Sequence, residues 1–291
     1  MMRPRSCIVC SMSKETHIGI DLGGTHIRGG WVKGENLSGL ITRPVTPNGT
    51  VAEVLEDLFK ITDTLVNERV GSIGIGVPGL VDAGRGLVYD VLNIPSWKEV
   101  PLKKILEDRY RLTIAIDNDA NCFALGEFHF GKGKGHGSMI GLTIGTGLGA
   151  GLILDHKLYS GRNGGAGEFG MIDYLDKYYE YYASGQFFRN VYGVDGATVY
   201  EEASAGESMA LAMYEELGMH LGNAIKTMLY AVDVDLIVLG GSVRKGYRFF
   251  EKTMWEKIRS CAFQKAAANL RIEISELENG GILGAAALTM T

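Results

Sequence analysis

Apolar positions along the chain follow two rhythms that alternate in order. Thr16–Asp21, Ile27–Lys33 and Leu37–Arg43 are short apolar runs, the last two joined by the polar turn Gly34-Glu-Asn36. Such runs, bounded by glycine and polar residues, predict strands. Val51, Val54, Leu55, Leu58, Ile61 and Leu65 then recur at helical spacing and predict a helix over Thr50–Glu68. A strand over Ser72–Val77 ends at Pro78-Gly79, a helix covers Leu102–Tyr110, and a strand covers Leu112–Ile116. Cys122–Glu127 reads as the start of a further helix.

The second half repeats this grammar. Met139–Ile144 and Ala150–Leu154 read as strands joined by the turn Gly145-Thr-Gly-Leu-Gly149, with a short third piece at Leu158-Tyr159. A long helix, Glu207–Val232, precedes the strand Leu236–Leu239, a helix around Phe249–Arg259, the strand Arg271–Glu276 and a closing helix of small residues, Gly281–Thr291. Two copies of strand, glycine-rich turn and strand, each leading into α/β units, imply an internal duplication. The predicted class is α/β, with two similar mixed-sheet domains facing a cleft that both glycine turns reach. The expected division is a poorly ordered tail over 1–15, a first domain over 16–119 completed by the helix 281–291, and a second domain over 120–280.

Size and composition narrow the function. The 291 residues suit two domains, and 46% hydrophobic with 22% charged residues is ordinary for a soluble globular protein. A net charge of −5 leaves no electrostatic footprint for nucleic acid or an anionic membrane. The 41 glycines are about twice the usual share. With only 6 prolines and no Gly-X-Y repeat, they point to turns and close backbone approaches to a ligand. Of the 4 cysteines, Cys7 and Cys10 form a lone C-x-x-C with no second ligand pair for zinc. They read as free thiols in a loose tail, with Met12 as an alternative start, and cysteine usage fits the cytoplasm. The uncharged stretch Gly137–Leu154 is too rich in glycine for a membrane span.

The candidate chemistry lies where strands end. Asp117-Asn118-Asp119 falls between a strand and a helix, at the edge where open α/β sheets bind ligands. Its ordinary alternative is a helix cap formed by Asp119. Asp21-Leu-Gly23-Gly24-Thr25 joins two strands; its glycines let backbone amides approach phosphate oxygens, Thr25 adds a hydroxyl, and Asp21 suits Mg²⁺ through water. A plain hairpin turn is the alternative. Gly145, Thr146 and Gly147 form a second such turn, not the strand-to-helix loop of a dinucleotide fold. Gly240 and Gly241 follow a strand and open another candidate loop. Glu168, in a glycine-rich loop, and Glu180, among tyrosines, suit sugar hydroxyls, though each taken alone reads more readily as a solvated surface charge. The six histidines show no metal-binding spacing, and G-x-S-x-G is absent.

Together these residues resemble the ROK family of sugar kinases and repressors, within the actin-like ATPase superfamily. The likeness runs from about Thr16 to Ala287. Its signposts are Ile18–Thr25, Asp117–Asn121 with Gly126-Glu127, Ile144–Gly149, Ala166–Gly170, Glu180 with Ala183-Ser-Gly185, and Leu239–Ser242. The resemblance implies a two-domain actin-like (ribonuclease H-like) fold and ATP-dependent phosphorylation of a hexose 6-hydroxyl, with glucose as the leading substrate. It implies Asp119 as catalytic base, and Asn118, Glu168, Glu180 and Gly79 at the sugar. Asp21, Gly23, Gly24, Thr25, Gly145, Thr146 and Gly147 would hold the phosphates, with Gly240 and Gly241 on the adenosine side. ATP and Mg²⁺ are the implied cofactors, and a homodimer the implied assembly.

Two departures qualify the resemblance. Met171 stands where family members carry histidine, and Leu175–Tyr179 lacks the family's zinc-binding cysteines. The expectation is a zinc-free branch, its tyrosine-rich segment packing in place of the metal. An N-acetylmannosamine or N-acetylglucosamine kinase is the alternative within the class. A sugar-responsive repressor is the alternative outside it, disfavoured because the first phosphate motif begins at residue 18 and leaves no room for a DNA-binding domain.

Overall fold

The computed structural model describes residues 16–290, apart from 47, 92 and 93. The expected tail, with Cys7, Cys10 and Met12, lies outside the described residues. In chain order the elements begin with β1 (Thr16–Leu22), β2 (His26–Lys33), β3 (Asn36–Pro44), α1 (Val51–Leu65) and β4 (Val70–Val77). Three short strands follow, β5 (Leu80–Asp82), β6 (Leu87–Tyr89) and β7 (Glu99–Val100), then α2 (Leu102–Tyr110), β8 (Thr113–Asn118) and α3 (Asp119–Phe130). Next come β9 (Met139–Ile144), β10 (Leu148–Leu154), β11 (Lys157–Leu158), β12 (Asp173–Tyr174), β13 (Lys177–Tyr178), α4 (Tyr179–Ala183), α5 (Phe187–Tyr192) and α6 (Gly196–Ala205). The chain closes with α7 (Ser208–Val232), β14 (Leu236–Gly240), α8 (Tyr247–Arg259), α9 (Gln264–Asn269), β15 (Arg271–Ile274) and α10 (Gly280–Ala287).

The duplication is visible in the topology. One sheet runs β3-β2-β1-β4-β8 and the other β11-β10-β9-β14-β15. In both, three antiparallel strands lead into two parallel ones, so strand order and direction repeat. Each sheet has its own core. Ile18, Ile20, Leu58, Ile61, Ile73 and Ile75 belong to the first. Leu142, Phe187, Leu221, Ile225, Leu239 and Phe250 belong to the second.

Boundaries moved where local polar chemistry decided them. The first helix ends at Leu65 rather than Glu68: Asn67 accepts from the Arg69 amide and donates to the Leu65 carbonyl, turning the chain. At its start, Thr50 and Glu53 form a capping box. The strand expected to stop at Ile116 continues, because Asp117 and Asn118 still pair with Gly76 and Val77. The helix therefore begins at Asp119.

Between the sheets lie α10, packed on β1 and β4, and α3, packed on β9 and β10, the two helices crossing in close contact. Glycine makes this approach feasible. A methyl at Gly74 of β4 would fall 1.7 Å from the Ala285 carbonyl oxygen, and one at Gly284 would fall 1.6 Å from that of Cys122. Among the described residues no helix is long and apolar enough to cross a membrane.

Candidate active site

β8 delivers Asp117, Asn118 and Asp119 to the sheet edge, and the three carry different loads. Asp117 is buried, and its carboxylate accepts from the Asn118 amide (2.7 Å), Asn121 Nδ2 (2.7 Å) and Ser160 Oγ (3.0 Å). Burial holds its carboxyl above the ordinary range despite these bonds. Asn118 is the helix cap: its Oδ1 accepts from the amides of Ala120 (2.8 Å) and Asn121 (3.3 Å). Its Nδ2 donates to the Gly79 carbonyl (3.0 Å), at a turn where φ is +92°. The second amide hydrogen of Asn118 has no partner among the described residues.

Because Asn118 caps the helix, Asp119 is free for other work. One of its oxygens accepts from the Ala120 amide at 2.8 Å. The other makes no hydrogen bond among the described residues. The side chain opens to solvent but is walled by protein on its other sides. That loss of hydration, then the negative charges of Asp21 and Glu168, push its pKa up to about 6. A carboxylate poised there takes a proton from a hydroxyl more readily than one near 4.

Asp21 is the penultimate residue of β1 and pairs across the hairpin with Arg28, at 2.5 Å. Its carboxylate also lies against Gly281, in the first turn of α10. The Gly23–Thr25 turn is closed by the Gly23 amide donating to the His26 carbonyl (2.9 Å). The amides of Gly24 and Thr25 donate to nothing among the described residues, so the turn offers open donors to an anion. It borders a cavity of about 440 Å³ with Asp21, His26, Arg28 and Thr42.

The second turn, Gly145–Gly147, has the same property at Thr146. Glu180, on α4, lies directly behind it: its carboxylate accepts from the Leu148 amide at 2.9 Å, and a methyl at Gly147 would fall 2.5 Å from Glu180 Oε2. Glu168 stands at the exposed end of the cleft, where partial loss of water, then the charge of Glu180, raise its pKa. Met171 follows one short helical turn later, half exposed. The tyrosine-rich segment packs inward: Tyr174 stacks on Tyr179 with centroids 4.4 Å apart, and its hydroxyl meets His220 Nδ1 at 3.1 Å. Among the described residues no group of three or more His, Cys, Asp or Glu is arranged around a metal position.

Two features differ from the sequence-based picture. The glycine turns border different cavities: the second lies at a space of about 490 Å³ that has no lining residue in common with the one at the first. Gly240 and Gly241 do not line that space either. Gly241, at φ +78°, packs on the Ile144 backbone and Gly240 under the Phe123 ring. The lining comes instead from the residues after them, Ser242, Val243 and Lys245, and from Gln186, Tyr200 and Tyr214. Reasoning from sequence missed the latter three. The Asp195-Gly196 turn, whose aspartate caps α6, was the available signal that a helix starts at this wall.

An N-acetyl-D-glucosamine kinase of Yersinia pseudotuberculosis is 33% identical over 305 residues, covering 94% of this chain and 98% of its own. A glucokinase of Thermotoga maritima is 28% identical over 95% of this chain and 98% of its own. A ROK family glucokinase from Streptomyces griseus, solved in complex with glucose and AMPPNP, superimposes with a TM-score of 0.79 at 28% identity, covering 94% of this chain and 98% of its own. The fold is thus the actin-like ATPase fold of the ROK sugar kinases. The ROK family profile matches residues 17–291, and the chain belongs to that family.

Proposed function

We propose that this protein is an ATP-dependent hexose kinase that phosphorylates the 6-hydroxyl of its sugar, with glucose as the first substrate to test. The observation that carries the reading is Asp119. It is a carboxylate relieved of capping by Asn118, raised to about 6, and set among carboxylates that would bind sugar and glycine turns that would bind phosphate. The related glucokinase complex with glucose and AMPPNP supports the same reading.

In this scheme the spare amide hydrogen of Asn118 and the carboxylates of Glu168 and Glu180 orient the sugar through its hydroxyls. Asp119 accepts the 6-hydroxyl proton as that oxygen attacks the terminal phosphorus of ATP, and the bond from that phosphorus to the bridging oxygen breaks, its electron pair leaving on ADP. The open amides of Gly24, Thr25 and Thr146 hold phosphate oxygens, and the cavity walled by Tyr200, Tyr214 and Lys245 takes the adenosine. Phosphoryl transfer is mostly positioning and charge stabilisation, and this set of groups suits it. The residues also fit Mg²⁺, which usually keeps its waters and binds one or two carboxylates plus substrate phosphates; bound with the nucleotide, it would neutralise phosphate charge, with Asp21 facing it through water.

N-acetylhexosamine phosphorylation is the second reading. It is supported by the 33% identity to the N-acetyl-D-glucosamine kinase and by the apolar, half-exposed Met171 beside Glu168, which suits an acetyl methyl better than a bare hydroxyl. Incubation with ATP and Mg²⁺ over glucose, mannose, N-acetylglucosamine and N-acetylmannosamine, reading ADP release and the sugar 6-phosphate, tests both. Glucose 6-phosphate is the expected product. Turnover of the acetylated sugars alone favours the second reading, and no turnover with any of them overturns the kinase assignment.

A further inference from the structure

The second glycine turn is held from behind by one short segment, Glu180–Gln186. The Gly185 amide donates to the Gly145 carbonyl at 2.7 Å. Gln186 Nε2 donates to the Thr146 carbonyl at 2.9 Å. Glu180 Oε2 accepts from the Leu148 amide at 2.9 Å while lying against Gly147. The turn from Gly145 to Leu148 is therefore tethered along its length to a stretch seven residues long.

That stretch has a fixed back. Tyr179 stacks on Tyr174, and its hydroxyl bonds Thr227 of α7 at 2.8 Å. Asn223, also on α7, donates to the Tyr174 hydroxyl at 2.9 Å. Ala183, Ser184 and Phe187 are buried. Its front is where the proposed ligands would sit. Glu180 keeps a second oxygen with no partner among the described residues, and its charge reaches Glu168, the other proposed sugar carboxylate. Gln186 lines the nucleotide cavity. We infer that Glu180–Gln186 is a strap coupling sugar occupancy to the shape of the phosphate-binding turn, with Gln186 as a positioning residue at its nucleotide end.

The physical route is short. A sugar hydroxyl donating to the free oxygen of Glu180 fixes that carboxylate, and so fixes the Leu148 amide on which the turn closes. The carbonyls of Gly145 and Thr146 are already pinned by Gly185 and Gln186, so the Thr146 amide becomes a pre-set donor. Whatever sugar does for nucleotide affinity, nucleotide must do for sugar affinity by the same factor.

The inference rests on the kinase reading, and the test separates the two. AMPPNP affinity is measured by calorimetry with Mg²⁺, with and without saturating amounts of the hexose phosphorylated in the sugar panel. Wild type is expected to bind AMPPNP more tightly with sugar, by a factor in the range of about 5 to 150. Gln186→Glu keeps the shape of the side chain but removes the donor to Thr146. The factor should fall toward one in this variant and in Gln186→Ala, and KM for ATP should rise more than kcat falls. Gln186 is exposed, so both variants should melt as wild type does, and a merely structural role would leave the sugar dependence of AMPPNP binding intact. A wild-type protein that turns over sugar but binds AMPPNP equally with and without it overturns the coupling and leaves the kinase reading standing. So does a coupling factor unchanged in both variants. If no hexose in the panel is phosphorylated, the kinase reading falls and the coupling with it.

Discussion

At Asp119, stability and chemistry pull in opposite directions. The folded state raises its pKa from an ordinary 3.8 to about 6, so the folded protein holds this proton more tightly than the unfolded chain does. Stability contributed here is present in acid and is lost as pH rises through that window, so the ionised group is a net cost at pH 7. Asp119→Asn should therefore raise the urea midpoint. The gain should be no more than about 1 kcal/mol, since the group faces solvent and its repulsions are screened. The same change should lower kcat by about 10²–10⁴ if the carboxylate is the base. In the wild type, kcat/KM should decline as pH falls below about 6. An Asn variant that is less stable, or a profile flat from neutrality into acid, would contradict the assignment. The sequence identified the polar cluster but not which member caps the helix: Asp or Asn serves equally well, and it is the hydrogen bonds from the Ala120 and Asn121 amides that give Asn118 the role.

Element by element, legibility followed periodicity. Where apolar spacing was regular, as in α1, α2 and β9, the reading and the structure agree to within a few residues. The stretch from Tyr179 to Ala205 holds three helices that no periodic pattern announced. Two of them have only five or six residues, too short for a helical repeat, and their aromatic side chains serve tertiary packing more than local propensity. Glycines at φ +69° (Gly193) and +89° (Gly206) end the last two and were the readable stop signals. The small C-terminal residues read as a helix that completes the first domain, and α10 presses on β1 and β4. Gly74→Ala puts this to the test. Its methyl meets backbone rather than a flexible side chain, so α10 must shift, and urea unfolding should show a loss of about 3 kcal/mol. A variant as stable as wild type would mean that the helix sits farther from the sheet.

Across the whole molecule, the duplicated topology places the proposed binding groups in two halves, one on each sheet. Asp21, the first glycine turn and Asp119 sit at the ends of β1 and β8. Glu168, Glu180 and the second turn come from the other sheet's half of the chain. The halves already touch at one point: Gly164, at φ +75°, lies so close to β5 that a methyl there would fall 2.0 Å from the Val81 carbonyl oxygen. The two glycine turns border different cavities. For one triphosphate to meet both turns, the expected motion is a narrowing between them, pivoting about the contact of Gly164 with Val81. Like charges on Asp21, Asp119, Glu168 and Glu180 oppose such closure until a ligand brings donors and cations between them. Small-angle scattering should therefore show a lower radius of gyration with hexose, AMPPNP and Mg²⁺ together than with no ligand, as expected when closure sequesters phosphoryl transfer from water. An unchanged radius under saturation would mean that the turns act from fixed positions, and that the terminal phosphate is held by the second turn alone.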